Sequence, residues 1–516
     1  MIIKKNTHSF RWITLIGLGL ALIVINVDVT IVNLALPILG QTFHAKLPTL
    51  QWVVNSYSMT CAGLIIIAGK LADCYGYRFI YLCGITCFLM GSLIAGFAPI
   101  MNVIILGRIL QGVGMASTYS LVFILTSHIF SSTEQKSALG LLVAFVGISQ
   151  AIGPTLGGLI IQHWGWRWAF LVNAPICFIS FILVYFFCQT DAISEEKKIH
   201  YSSALLLTAT YVIIISILNN MSQLKITLFE LVIIIGFSAI VFSSVIIWQR
   251  KLRYPLLHPT LLKNKNYCIL IILRCMLQFT LGGLFLILPI YLQNIIGLSP
   301  GINGYVMLLM TSMLALSSIF IGYLGRYLSS MQLILYAYIL AVVSFGIFAI
   351  IPMIPIPWLP FSLALILMGI TIGFIFAGTT DAMMNSLPIK YQGVGYGFFM
   401  ANAFFCYSIG IAISGHLLTL VGFSNFNHII ALHFGKYSNL FNNMRLESYV
   451  NGAKPLVELT KLYPQQAMLL KQFATAAYAQ GFRAVMYLFF SCSVFGCLLT
   501  IFLMRKKRQM NTHVNR

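Results

Sequence analysis

Residues 12–37 read WITLIGLGLALIVINVDVTIVNLALP, a long apolar run holding one acid and no base. A helix crosses the hydrocarbon core of a bilayer in about 20 residues and satisfies its own backbone polar groups. An unalternated apolar run of this length therefore predicts a membrane-spanning helix and not a barrel strand. Lys4 and Lys5 precede it. The run exceeds the roughly 7–15 apolar residues of a cleavable signal, so a retained first span is expected.

Working outward, the same pattern recurs along the 516 residues at 50–69, 79–98, 102–127, 137–161, 168–188, 201–218, 229–248, 267–293, 303–324, 331–351, 359–380, 394–421 and 482–504, which makes fourteen predicted spans with 12–36. Charged or turn-forming breaks separate them, among them Lys70–Arg78, Ser131–Lys136, Asp191–Lys198 and Arg250–Lys265. Prolines 352, 355, 357 and 360 punctuate another gap, because proline cannot continue a helix without losing a hydrogen bond. The stretch Gly422–Gln480 is the longest polar segment, and its second half reads as helical.

Composition agrees. Apolar residues make up 59% and charged residues 8% of the chain. A soluble domain carries about 25% charged residues to keep its surface wet, so a cytosolic enzyme, a disordered chain and a small disulfide-framed secreted domain are all excluded. The net charge of +21 would suit a nucleic-acid binder, but the basic residues sit in short gaps between apolar runs, where they orient a membrane protein. No nucleic-acid partner is expected. With the N-terminus placed in the cytoplasm, twenty Lys and Arg fall in the inner loops and tails; the short outer loops hold only Lys46, Arg167 and Lys225. Both termini are thus expected on the cytoplasmic side of the membrane, with Gly422–Gln480 facing outward. The 11 cysteines lie within or at the ends of apolar runs and are read as small buried hydrophobes, not disulfide or zinc partners.

An ionised group at mid-bilayer costs at least about 2.5–3.5 kcal/mol and needs a partner or a task. Asp28 lies about 13 Å below Pro37. It is read either as a hydrogen-bonded tie between helices or as a carboxylate that exchanges a proton as water access alternates. Arg108 lies early in the fourth span and must face a polar cavity or a partner, since arginine stays charged. Arg274, in the ninth span, is expected to snorkel to the cytoplasmic interface. Asp381 falls about 10 Å from Pro388 and is read as solvated or capping. Within the fifth span, Gly147, Gly153, Pro154, Gly157 and Gly158 permit close helix approach and a bend. No HExxH or GxSxG motif suggests a hydrolase, and Gly63-x5-Gly69-Lys70-Leu71 departs from a phosphate loop in spacing and in the residue after Lys.

Four of these stretches, in this order, resemble motifs of the major facilitator superfamily, in its fourteen-helix drug:proton antiporter branch of the EmrB/QacA type. Asp28-Val29-Thr30-Ile31-Val32-Asn33-Leu34-Ala35-Leu36-Pro37 matches the first-helix motif of the branch. Gly69-Lys70-Leu71-Ala72-Asp73-Cys74-Tyr75-Gly76-Tyr77-Arg78, read as the loop after the second span, looks like motif A; Gly69, Asp73, Gly76 and Arg78 are kept. Cys74 and Tyr77 replace residues that are usually basic there, which predicts a weaker charge network. Arg108 with Gly107, Gln111 and Gly112 is similar to motif B, and Gly153-Pro154-x2-Gly157-Gly158 to the antiporter motif C. Gly322-x3-Arg326 looks like a degraded motif A of the second half.

The resemblance implies an all-α membrane fold with a six-helix bundle at 1–190, two additional helices at 191–250, a cytoplasmic linker at 251–265 and a second six-helix bundle at 266–516 that carries the outward loop 422–480. The halves would rock around a central cavity. The implied function is proton-driven export of hydrophobic or amphipathic compounds, with no cofactor beyond the proton gradient. Asp28 takes up a proton from outside and releases it inward; Arg108 helps to expel it. Tyr57, Tyr119, Gln150 and Gln278 are candidate cavity residues by their polarity within spans, and helix–helix bonding is an equal reading of each. EmrB-like pumps dock a periplasmic membrane-fusion adaptor, so the outward loop is read either as its contact surface or as a lid. Transport of one metabolite, such as a siderophore or fatty acid, and a non-transporting sensor are the competing readings.

Overall fold

The computed structural model describes residues 8–188, 201–220, 259–324, 327–351, 356–434 and 467–514, together with a few positions between 230 and 247. Among them there are helices and turns but no strand. Seven main helices fill the first half: α1 (His8–Thr42), α2 (Leu47–Tyr75), α3 (Tyr77–Gly96), α4 (Met101–Ile129), α5 (Ser132–Trp164), then the short α6 (Trp168–Leu171) and α7 (Asn173–Phe187), which form one span broken at Val172. α8 (Tyr201–Asn219) and the short α9 (Pro259–Lys263) follow. The second half holds α10 (Lys265–Ile290), α11 (Pro300–Leu324), α12 (Ser330–Ile350), α13 (Trp358–Ser386), α14 (Ile389–Phe434) and α15 (Ala467–Val514).

The boundaries follow local chemistry. Gly76 at φ 98° and Gly165 at φ 86° occupy the left-handed region that favours glycine, and they end α2 and α5. The Asn264 side chain accepts from the Asn266 and Tyr267 amides at the start of α10, and Ser329 with Gln332 forms a capping box on α12. Pro289 interrupts the α10 ladder, and the helix continues as a π-turn over Tyr291–Ile295.

The packing is a repeat. In the first half α1 lies on α5 and α7, α2 on α4, and α3 on α4 and α7. In the second half α10 lies on α14, α11 on α13, and α12 on α13 and α15. The halves meet where α5 packs on α11 and α2 on α14. α8 seals the second seam: Thr208 donates to the Gly63 carbonyl at 2.8 Å, Asn55 to Asn219 at 3.0 Å, and Tyr211 stacks on Phe405 at 4.3 Å.

Twelve helices among the described residues are long and apolar enough to cross a membrane, and Leu206–Asn219 is a shorter apolar helix. The predicted eighth span, 229–248, lies mostly outside the described residues; Glu230, Ile233, Phe237, Ile240, Ser244 and Ile247 within it are helical and exposed. Arg326, of the expected second motif A, and most of the linker 251–265 also lie outside them.

Three expectations change. Pro37 does not end the first helix, which runs on to Thr42, so Asp28 lies about 21 Å from that end and deeper than expected. Motif A is not a loop: Gly69 and Asp73 are the last turns of α2, and Gly76 alone separates it from α3. The stretch 422–480 begins as helix, since α14 reaches Phe434 where a loop is expected, while α15 starts at Ala467 within the second half already read as helical; 435–466 lies outside the described residues. At 48 residues, α15 is about 72 Å long and outreaches a hydrocarbon core of about 30 Å.

Candidate functional site

Asp28 and Arg108 meet. Both are fully buried, and Arg108 Nη1 donates to Asp28 Oδ2 at 2.5 Å. Asp28 Oδ1 accepts from Asn173 Nδ2 at 2.7 Å and from Gln111 Nε2 at 3.1 Å. Gln111 returns a contact through Oε1, which accepts from Arg108 Nη1 at 2.8 Å, while its Nε2 also reaches Ser92 Oγ at 2.7 Å. Arg108 Nε donates to the Val53 carbonyl at 3.0 Å, and the Tyr57 ring lies 4.0 Å from the guanidinium carbon. Five helices of the first half, α1, α2, α3, α4 and α7, thus converge on one ion pair.

Backbone proximity makes this possible. A Cβ on Gly107 would stand 2.7 Å from the Gly91 carbonyl, and one on Gly112 2.6 Å from the Tyr57 carbonyl. Only hydrogen fits there, so α4 sits tight against α3 and α2 and short side chains can reach the pair. The break at Val172 puts Asn173 at the start of α7, where it is buried and turned toward Asp28. A buried ion pair holds only when its remaining hydrogen-bonding capacity is met, and here nearly all of it is. Among the described residues the Tyr57 hydroxyl and Asn173 Oδ1 stay without hydrogen-bond partners. With Asp28 sealed from water, a proton can reach it only if the helices around it part.

Arg274 does not snorkel. It lies nine residues into α10, about 13 Å along the helix, and only 1% of it is exposed. Its guanidinium carbon sits 3.4 Å from the centroid of Phe376 on α13 and 5.7 Å from that of Phe399 on α14. Nε and Nη1 have no hydrogen-bond partner among the described residues. Neighbouring helices hold it in place, so the side chain has no open path to an interface.

α5 carries the glycine cluster between two partners. Gly153 faces Thr30 and Gly157 faces Ile31, both on α1 within a turn of Asp28. Gly158 and Pro154 face Pro300 and Gly304 of α11 in the other half. Polar contacts line the same seam: Thr311 donates to the Ala151 carbonyl at 2.8 Å, and the Gly301 amide to Gln162 Oε1 at 3.0 Å.

The motif A residues form a smaller group. Tyr77 donates to Asp73 Oδ1 at 2.6 Å, so a hydroxyl supplies the contact expected from a basic residue, and Lys70 Nζ lies 3.8 Å from Asp73 Oδ2. Arg78 Nη2 donates to the Tyr185 carbonyl at 2.5 Å. Gly69 has open space around it and Gly76 makes the turn. Asp381 is exposed and accepts from the Ser330 hydroxyl and the Asn385 amide.

The four candidate cavity residues do not form one cluster. Tyr57 covers Arg108; Gln150 donates to Asn26 Oδ1 at 3.2 Å and ties α5 to α1. Tyr119 packs edge-on against Phe404 of the other half, and Gln278 is buried one turn beyond Arg274. Sequence reasoning missed Ser92 and Asn173 as members of the Asp28 network. Their signal was polarity within an apolar span, the same signal that selected Tyr57 and Gln150.

Twelve apolar spans among the described residues, in two repeated halves with a sealed ion pair inside the first, define a polytopic membrane transporter. The chain belongs to the Major Facilitator Superfamily, whose model matches residues 18–415. It is 29% identical over 417 residues to the multidrug resistance protein Stp of Mycobacterium tuberculosis, covering 79% of this chain and 75% of that one. It is 27% identical over 419 residues to the tetracenomycin C resistance and export protein of Streptomyces glaucescens (79% and 76% covered). It is 25% identical over 404 residues to the riboflavin transporter RibZ of Clostridioides difficile (78% and 87%). Among solved structures, a bacterial homologue of the human lysosomal transporter Spinster shares the fold at a TM-score of 0.66 and 12% identity, covering 97% of this chain and 99% of that one.

Proposed function

We propose that this transporter exports hydrophobic or amphipathic compounds from the cytoplasm across the bacterial inner membrane in exchange for protons. The single observation behind the reading is the Asp28–Arg108 pair, sealed among five helices and flanked by the α5 glycines. The names of the relatives, which speak of multidrug resistance and antibiotic export, support the direction and the breadth of substrate. The excess of Lys and Arg on one side supports cytoplasmic termini.

The mechanism follows from what the pair can do. Paired with Arg108, Asp28 is a stabilised carboxylate. Rocking of the halves draws α5 along α1, because Gly153 and Gly157 clasp Thr30 and Ile31 beside Asp28, while Gly158 is fixed on α11. When the pair loosens toward the outside, Asp28 accepts a proton and Arg108 turns to Gln111 and the Val53 carbonyl. When the cavity faces inward, the guanidinium returns, the proton leaves and substrate enters.

Everted membrane vesicles loaded with an acid interior test this, using amphipathic dyes that span cationic, neutral and anionic forms. Wild-type vesicles should accumulate dye until nigericin collapses the pH gradient. Asp28→Asn should abolish the gradient-driven component while the protein stays in the membrane, and Asp28→Glu should keep part of it. Undiminished gradient-driven transport by Asp28→Asn overturns the role given to that carboxylate.

A further inference from the structure

We propose that Arg274 anchors the anionic group of transported compounds in a ring-walled slot between the halves, so that the substrates include amphipathic aromatic monocarboxylates. This rests on the reading of the chain as an exporter and deepens it.

Arg274 is a buried cation of the second half that faces Tyr119 of the first, and among the described residues no carboxylate stands near it. The groups within electrostatic reach are Tyr396, Tyr119, Cys275 and Tyr338, all formally neutral. The Tyr338 hydroxyl is spent on the Leu273 carbonyl, at 2.5 Å. The acids described elsewhere have other company: Asp28 has Arg108, Asp73 has Lys70 and Tyr77, Glu134 has Arg11, and Asp381 has Ser330. Phe376 compensates part of the lost hydration through its ring face, but a ring face cannot accept the directed N–H bonds of a guanidinium. Two of those donors, Nε and Nη1, are buried and idle. A guanidinium grips a carboxylate with two parallel bonds from its Nε/Nη2 side or its Nη1/Nη2 end, and each of these edges carries one of the idle donors.

The walls fit a flat apolar body. Phe376 and Phe399 flank the guanidinium from the second half, and Tyr119 comes from α4 of the first. Contacts between the halves shut the slot: Tyr119 against Phe404 at 6.1 Å and Phe123 against Tyr396 at 6.3 Å. Parting of the halves separates these rings and opens the slot, so access to Arg274 is tied to the transport movement itself.

The test is an equilibrium titration of the full-length chain in lipid nanodiscs, without any gradient, using 9-anthracenecarboxylate and its carboxamide as probes. The wild type should bind the carboxylate at least tenfold more tightly than the carboxamide. Arg274→Gln should bring that preference below twofold, and Arg274→Lys, which keeps the charge but not the fork, should fall between. Equal affinity for the two probes in the wild type overturns the proposal, as does a preference that survives Arg274→Gln. Because Arg274 has no charged partner to orphan among the described residues, Arg274→Met should melt no lower than the wild type; a large drop in melting temperature would show a structural bond and also overturn it. No proton gradient enters these measurements, so they can fail while the Asp28→Asn vesicle test succeeds, and the reverse.

Discussion

Arg108 and Arg274 are equally hidden, at 0% and 1% exposure, yet they keep opposite company. Arg108 sits within one half of the molecule, matched to Asp28 and tied to Gln111 and Val53. Arg274 sits where the halves face each other, among rings, with idle donors. Burial alone therefore says little about what a charge is for. The matched cation belongs to a device that closes on itself; the unmatched one awaits something from outside the chain.

The largest effect expected is a difference in sign. Asp28→Leu leaves Arg108 charged and alone, and breaking a buried pair from one side costs about 3–5 kcal/mol. Arg274→Met removes a charge that had no partner and should leave stability unchanged or raise it. Thermal melting of the two purified variants in nanodiscs compares them directly, and equal losses would break the contrast. Next comes Gly158→Val, which forces side-chain atoms into the Pro300 carbonyl and wedges α5 away from α11. Overpacking of this kind costs about 1–3 kcal/mol. It should also shift 9-anthracenecarboxylate affinity severalfold, because the Arg274 slot is shared between the halves. Unchanged affinity would place Arg274 outside the moving seam. The smallest effect is expected for Tyr77→Phe, which removes one hydroxyl donor from Asp73 and should cost about 0.5–1.5 kcal/mol in a melting experiment. A larger loss would mean that the turn at Gly76 is coupled to the Arg108 cluster.

Much of the architecture was legible before any coordinates, because lipid demands long apolar helices and tolerates charge only where it is matched or used. Asp28 and Arg108 stood out for that reason. What stayed hidden depends on neighbours. Depth was measured from Pro37, but a proline need not end a helix that is braced on both sides, and α1 runs on to Thr42. Arg274 is expected to stretch to the interface, as long charged side chains in apolar spans do. The rings of α13 and α14 that hold it come from residues more than a hundred positions away. Ser92 and Asn173 looked like ordinary polar residues in apolar spans; only the close approach of α3 and α4 and the break at Val172 bring them to Asp28. Tyr77 was read as the loss of a charge, whereas its hydroxyl reaches Asp73 as a donor.

The idle guanidinium has an electrical corollary. A carrier that expels a monoanion while admitting a proton moves two units of charge in the same electrical sense in every cycle. Each unit is worth about 2.3 kcal/mol per 100 mV of transmembrane voltage, so the pair would draw about 4.6 kcal/mol from a cell polarised by that amount. Voltage could then drive the pump in surroundings too alkaline to offer it a useful supply of acid.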